Sequence, residues 1–313
     1  MNRQRLLAFA AITTTSVLWG TTGTAATFAP DVGPLAIGAA ALGLGGLLQA
    51  LIAIPALRRA RPQLRANRPS ILVGAIAVAI YPLAFYSSMH LAGVALGSVV
   101  SLASAPLASG LLERIIQRTP LSRWWLFAAG LGITGSVVLC LAKMSNEPSE
   151  TAQTVLGILL GLVAGCTYAT YSWSAQRLMS RGVSRAASMG AIFGVGGALL
   201  MPVLAVTGAP LLANAQNFSV AAYMVIVPMF LGYLLFGYGL ARVPASTATA
   251  ITLSEPAVAA ILAVLVVGER LSSLGWIGLS VIGLSLVVLA FAPTNKPVGS
   301  SSPSGRNLPA TCP

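Results

Sequence analysis

The sequence predicts an all-α integral membrane protein of ten transmembrane helices, arranged as two inverted five-helix repeats. Three observations point there. The 313-residue chain is 56% hydrophobic and 8% charged, with mean hydropathy +0.86; soluble domains carry about 25% charged residues. It divides into ten apolar runs of membrane-crossing length. A short pattern from its first half also returns 150 positions later.

The runs cover 6–28, 34–57, 70–91, 94–112, 123–142, 154–176, 185–206, 218–240, 244–267 and 273–292. A spanning helix needs roughly 20 apolar residues. The runs are too long for barrel strands and lack strict alternation. The first follows Arg3 and Arg5 and reaches Thr24-Ala25-Ala26, a pattern shared with cleaved signal peptides. Its length favours a retained span. The third and fourth runs nearly touch, as do the eighth and ninth, and Ala92-Gly93 and Val243-Pro244 divide these pairs. Residues 1–142 then form the first repeat and 154–292 the second. The link 143–153 contains Glu147, Pro148 and Glu150, and the tail 293–313 holds five prolines and reads as disordered.

Charge sets the direction. The net charge is +12, yet the basic residues form no nucleic-acid-binding stripe. They cluster between runs: Arg3 and Arg5; Arg58, Arg59, Arg61, Arg65 and Arg68; Arg114, Arg118 and Arg123; Arg177, Arg181 and Arg185; Arg242; Lys296 and Arg306. With the N-terminus inside, all these face the cytoplasm and only Lys143 and Arg270 lie outside, as the positive-inside rule expects. This predicts a multi-pass cell (inner) membrane protein with both termini cytoplasmic. Five spans per half is an odd number, so the second half enters in the opposite sense.

The echo pairs Ser104-Ala105-Pro106 with Ser254-Glu255-Pro256. Along the same offset Ala95 matches Ala245, Leu112 matches Leu262, and Leu121-Ser122 matches Leu271-Ser272; with one residue of slippage Trp125 and Gly132 meet Trp276 and Gly283. Proline inside a helix frees a carbonyl one turn earlier. Pro106 and Pro256 are thus expected helix breaks, freeing carbonyls near residues 102 and 252. Ser101, Ser104, Thr252 and Ser254 stand close to them. Paired breaks in inverted halves mark a midplane substrate site, or else bend helices for packing.

Glu255 is the sharpest single residue. A carboxylate at a helix centre costs about 2.5–3.5 kcal/mol on insertion scales. It should face a cavity, pair with a cation or take a proton, unless it sits at a solvated rim. His90, the sole histidine, follows Tyr86 by one helical turn and is either a coupling group or a surface residue. Trp19 and Tyr168 lie deeper than the other aromatics, at repeat-related places, and either line a cavity or pack. Tyr81, Tyr86, Trp173, Tyr233, Phe236 and Tyr238 also fit interfacial belts. Gly157, Gly161 and Gly165 form a small-residue face suited to close helix packing.

No catalytic set is visible. One histidine, six acids and scattered cysteines offer no metal site. Cys140, Cys166 and Cys312 imply no disulfide framework. A phosphate-binding loop is absent, and Gly43-Leu44-Gly45-Gly46 lies inside an apolar run rather than after a strand. No cofactor is expected. Asn217-Phe218-Ser219 fits a glycosylation sequon, a pattern of little weight.

Residues 233–272 carry a family resemblance. They contain Tyr233, Tyr238, Arg242-Val243-Pro244, Leu253-Ser254-Glu255-Pro256 and Val267-Gly268-Glu269-Arg270-Leu271. This resembles the second half of the EamA family in the drug/metabolite transporter superfamily, whose pattern sets a proline in span nine and Gly-Glu-Arg-Leu before span ten. The first half is similar but departs from it: Thr119 stands where the family often has a second glutamate, opposite Glu269. The resemblance covers 6–292. It implies a basket-like ten-helix bundle that exports small metabolites, with amino-acid exporters, including the aromatic amino-acid type, among its members. Spans one, three, four, six, eight and nine would line the cavity.

The expected substrate-binding residues are therefore Trp19, Tyr86, Ser101, Ser104, Tyr168, Tyr238, Thr252, Ser254 and Glu255, with Glu255 and His90 as coupling candidates. Glu269 and Arg270 read as a gate or as a structural cap. Expected partners are a small molecule, the bilayer, and at most a second copy of the chain. A passive pore, a multidrug or other-metabolite carrier and an intramembrane enzyme stand as rivals. The last lacks any visible nucleophile, base or metal cluster. A phosphorylated-sugar carrier should place several cations in the membrane, whereas these lie at loops and span ends.

Overall fold

The computed structural model describes residues 3–118, 120–143, 151–262, 264–265 and 272–291. Among these every regular element is helical. The long helices are α1 (Arg3–Ala26), α2 (Pro34–Arg59), α4 (Arg68–Ala92), α5 (Val94–Ile116), α6 (Arg123–Lys143), α7 (Thr151–Ser180), α8 (Arg185–Thr207) and α13 (Ser273–Phe291). A six-residue helix, α3 (Arg61–Ala66), joins α2 to α4. Two runs are composite. The first is α9 (Ala215–Met224), a π-helical segment (Val225–Leu231) and α10 (Gly232–Leu240). The second is α11 (Ala245–Ile251), a 3₁₀ turn (Thr252–Ser254) and α12 (Glu255–Leu262).

Seven of these stretches are long and apolar enough to cross a membrane: Arg3–Ala26, Pro34–Arg59, Arg68–Ala92, Leu96–Ile116, Ala152–Ser180, Arg185–Thr207 and Ala215–Leu240. The shorter Ser273–Leu289 is also apolar.

Local chemistry sets the ends. α2 begins after extended Gly33 with Pro34 in its first turn, where a missing amide costs nothing. It ends on Arg58 and Arg59, cations at the negative end of the helix dipole. Ser184 caps α8 by accepting from the Ala187 amide at 3.3 Å, and Asn214 caps α9 by accepting from the Asn217 amide at 2.7 Å. Gly93, at φ 84°, divides α4 from α5 in a conformation that side chains resist.

The helices pack in a definite set. α2 lies along α8, α6 along α13, and α7 against both α4 and α5; α1 packs on α10 and α12, α4 also on α8, and α2 also on the π segment. Small residues permit the closest approaches. A Cβ on Gly46 would collide with the Phe193 carbonyl of α8. On α7, Gly157 faces Ala92, Gly161 faces Ser88 and Val100, and Gly165 faces Ser101 and Ser104. The glycine face anticipated on α7 thus seats α4 and α5.

Three features depart from the uniform helical runs expected. Residues 61–66, read as loop, form α3. The run 218–240 starts at Ala215 and carries the π segment around Pro228. The expected breaks are unequal: Pro106 lies inside continuous α5, whereas a 3₁₀ turn precedes Pro256. In α5, Ser101 Oγ returns to the Gly97 carbonyl and Ser104 Oγ to the Ser101 carbonyl; Thr252 and Ser254 likewise return to the Thr249 and Ile251 carbonyls, and Thr252 has Tyr168 of another helix in addition.

α11 has an unusual cap. Its N-terminus follows Pro244, whose side chain offers no acceptor. Glu113, near the end of α5, supplies one. Its carboxylate accepts from the Ser246 amide at 2.9 Å and from the Ser246 hydroxyl at 2.6 Å. Trp125 of α6 donates to the Ser246 carbonyl at 3.1 Å. Glu113 is buried, so its removal leaves helix-terminal donors without an acceptor. Hydrogen bonds to charged groups contribute about 1.5–3 kcal/mol. Glu113→Ala should therefore lower thermal stability in detergent, by about 2 kcal/mol. An unchanged unfolding midpoint would show that Glu113 is not holding α11.

Candidate functional site

The two composite runs and α1 meet at the centre of the bundle. A π segment disturbs regular i to i−4 bonding, and Pro228 has no amide to give. α1 reaches this segment with two side-chain donors. Trp19 Nε1 donates to the Pro228 carbonyl at 2.9 Å, and Thr15 Oγ1 donates to the Gly232 carbonyl at 3.1 Å. The Trp19 ring is thereby fixed in the core, 3% exposed.

Around it stands a continuous aromatic cluster. Trp19 lies 6.0 Å from Tyr168, 4.8 Å from Tyr233 and 5.4 Å from Phe236, centroid to centroid. Tyr81 bridges Phe85 and Tyr168 at 5.5 and 5.7 Å. Tyr171 and Phe193 close one side, 5.4 Å apart. Two hydroxyl pairs tie α7 to the two composite runs: Tyr168 with Thr252 at 2.9 Å, and Tyr171 with Tyr233 at 2.7 Å. Offset and edge-on ring pairs of this kind contribute about 0.5–1.5 kcal/mol each beyond burial.

A small cavity lies within this cluster, lined by Trp19, Thr22, Tyr81, Tyr86, Tyr233 and Glu255, among others. Its volume of about 10 Å³ suits a single water. Glu255 opens α12 directly after the 3₁₀ turn and is 7% exposed. Its Oε2 has no hydrogen-bond partner, and neither has the Tyr86 hydroxyl. Thr22 shares the cavity, but its hydroxyl turns back to the Trp19 carbonyl at 2.7 Å. Two unmatched polar atoms thus meet in one aromatic chamber. The chamber can accept a hydrogen-bond donor or a cation at Glu255 and a polar group at Tyr86.

The site residues expected from sequence fall into two groups. Trp19, Tyr86 and Glu255 line the chamber, and Tyr168 packs on Trp19 and bonds Thr252 behind it. Ser254 is buried beside them, its hydroxyl bonded to the Ile251 carbonyl at 2.8 Å. The remainder lie elsewhere. Ser101 and Ser104 sit where α5 meets Gly165 of α7. Tyr238 stacks under Arg242, whose guanidinium lies 3.6 Å from the ring centroid. His90 is exposed in a groove with Ser87, Pro34 and Thr207. Thr119, Glu269 and Arg270 lie outside the described residues. Among the described residues no group of His, Cys, Asp or Glu is arranged to hold a metal.

Sequence reasoning missed Phe85, Tyr171 and Phe193, and assigned Tyr81, Tyr233 and Phe236 to interfacial belts. A signal for most of them existed. Tyr81/Phe85, Tyr168/Tyr171 and Tyr233/Phe236 are spaced three or four residues apart, so each pair shares a helix face. Glu113 was also passed over, because it sits among arginines and reads as a loop acid.

Comparison with known proteins agrees with this architecture. Residues 155–291 match the EamA-like transporter family. The chain is 31% identical over 280 residues to the uncharacterized transporter YwfM of Bacillus subtilis (strain 168), covering 89% of this chain and 92% of the relative. A crystal structure shares the fold with TM-score 0.69 at 20% identity, over 91% of this chain and 95% of that one. With its membrane-length helices and the extent of that shared sequence, the chain belongs to the EamA-like transporter family.

Proposed function

We propose that this protein is a secondary transporter that exports small metabolites, with amino acids as its substrate class, by alternating access. The observation that carries this reading is Glu255, an unpartnered carboxylate in a closed aromatic chamber where two interrupted helices meet. An ammonium group suits Glu255, and aromatic walls suit an apolar or aromatic side chain. The absence of a nucleotide-binding loop in the sequence leaves ion or solute gradients to drive it.

The proposed architecture is ten spans in two inverted five-helix repeats, residues 1–142 and 154–292, joined by the linker 143–153. α3 then belongs to the loop between spans two and three. The pairing of helices supports this. Exchanging each span with the one five places later turns α4 on α7 into α10 on α1. It turns α5 on α7 into α12 on α1, and α4 on α8 into the π segment on α2. It returns α2 on α8 and α6 on α13 to themselves. Every pair named is a contact in the fold. Such a set follows from a two-fold axis passing between α2 and α8 and between α6 and α13. The charge asymmetry of the loops supports both termini in the cytoplasm of a cell-membrane protein. Rocking of one repeat against the other would open the chamber to each side in turn.

Purified protein in liposomes should show saturable, counterflow-competent movement of amino acids. No movement across an amino-acid panel, with other solutes carried, would refute the substrate class. Linear uptake without counterflow would favour a passive pore. Glu255 is the proposed coupling carrier, since each charge moved gains about 2.3 kcal/mol per 100 mV. Transport should therefore respond to a pH gradient in the native chain and lose that response in Glu255→Gln. Equal transport at every pH by both proteins would remove Glu255 from coupling.

Tyr86 provides an independent check. Its hydroxyl makes no hydrogen bond within the protein, so Tyr86→Phe should leave the thermal midpoint unchanged or raise it. Loss of a substrate hydrogen bond should raise KM about two- to tenfold. A lowered midpoint with unchanged KM would make Tyr86 a packing residue.

A further inference from the structure

The α2–α4 junction contains a feature that the transport reading does not use. A groove of about 550 Å³ runs between the end of α2, the short helix α3, the start of α4 and the start of α8. Its rim carries Arg61, Arg65 and Arg68. Its wall continues along Ala50, Leu57, Leu64 and Ile71 and over Gly190, Ala191, Gly194 and Val195. One end is cationic and the rest is apolar.

The arginines are placed deliberately. Positions 61, 64, 65 and 68 recur at helical spacing, so three cations and Leu64 share one face across α3 and the first residue of α4. Like charges one turn apart oppose helix formation by a few tenths of a kcal/mol, yet α3 forms. Asn67 anchors the junction. It is 9% exposed, its Nδ2 donates to the Gln63 carbonyl at 2.9 Å, and its Oδ1 accepts from Arg181 of the α7 end at 2.6 Å. The rim is therefore held rather than loosely draped.

No described carboxylate serves these arginines. The sequence has none between Asp31 and Glu113. Asp31 lies before the opposite end of α2, Glu113 is bonded to Ser246, and Glu255 faces the chamber. Loop charge alone explains the number of cations but not their alignment over an apolar groove. Arginine matches phosphate geometry through paired donors. Basic pockets between membrane helices suit lipid headgroups.

We propose that this groove is a binding site for one anionic phospholipid, its phosphate on Arg61, Arg65 and Arg68 and an acyl chain along the α2–α8 wall. The lipid would bridge α2 and α4 to α8. If the inverted-repeat reading above holds, these belong to opposite halves, and the leaflet is the cytoplasmic one; the binding site itself does not depend on the transport reading.

The test uses purified full-length protein in detergent, titrated with phosphatidylglycerol, phosphatidylcholine or soluble glycerol 3-phosphate. Retained lipid is read by native mass spectrometry, and the unfolding midpoint is read alongside. Phosphatidylglycerol should be retained at one copy and raise the midpoint, while phosphatidylcholine does neither. Arg65→Gln with Arg68→Gln keeps Arg58, Arg59 and Arg61 to hold topology. It should weaken phosphatidylglycerol retention on the order of twenty-fold, about five-fold per arginine. Val195→Trp fills the exposed apolar wall without touching charge and should also reduce retention. Equal retention of the two lipids, or unchanged retention in both variants, would overturn the proposal. So would glycerol 3-phosphate binding as tightly as the lipid, which would make the rim a soluble-anion site. Loss of amino-acid transport with lipid retention intact would count against the transport reading alone.

Discussion

Within hydrocarbon, a backbone carbonyl released from its helix has no water to bind, so each break in a spanning helix must find its partner inside the protein. That constraint organises the centre of this molecule. Trp19 and Thr15 of α1 donate to the carbonyls of Pro228 and Gly232, at the π segment and just after it. At the 3₁₀ turn the Tyr168 hydroxyl from α7 bonds the side-chain oxygen of Thr252. α1 and α7 are the first helices of the two proposed repeats. Both reach irregular regions of the second half, α1 from the first half and α7 from within it, and each brings a large aromatic ring. The aromatic rings of the chamber thus arrive on the same helices that bond to the irregular segments.

Much of this was legible in the sequence, for a physical reason. Apolar length and loop charge act over whole segments, so they survive uncertainty about any one residue. Trp19, Tyr168 and Glu255 stand out because each is odd at its depth, a polar or amphipathic group far from a span end, and Thr252 because it lies beside the proline break. Tyr171 and Phe193 were missed because aromatic residues in an apolar run look like ordinary packing. Their grouping depends on how α7, α8 and α10 rotate against each other. Rotation is set by glycine contacts such as Gly46 against Phe193, and composition carries no trace of those. Pro106 was given a role it does not share with Pro256. The triplets match in sequence, yet α5 runs unbroken through Pro106 while a 3₁₀ turn precedes Pro256.

Glu113 shows the opposite failure. By position it belongs to a basic loop, and by chemistry it resembles a solvated acid. The fold buries it and points it at a helix whose own cap residue is proline. The missing N-cap acceptor at Pro244 was visible in the sequence, but the identity of its replacement was not. The distance of 133 residues between Glu113 and Ser246 is spanned only by tertiary packing.

These two carboxylates bear on one segment. Glu113 grips α11 at Ser246, and Glu255 begins α12 nine residues later, roughly 15 Å along the axis. Between them the backbone tightens into a 3₁₀ turn held by Tyr168. A helix gripped at its first turn cannot follow the chamber without either carrying α5 with it or breaking the Ser246 bonds. α5 in turn is seated against α7 through Gly165, and α7 carries Tyr168. The segment 245–262 is therefore tied to one unit, α5 with α7, at both its start and its turn. It also contacts α6, α10 and α13, and α12 packs on α1. An opening that spares these hydrogen bonds moves α5, α7 and 245–262 together, and Glu255, beside Gly20 of α1, stands on a face of that unit.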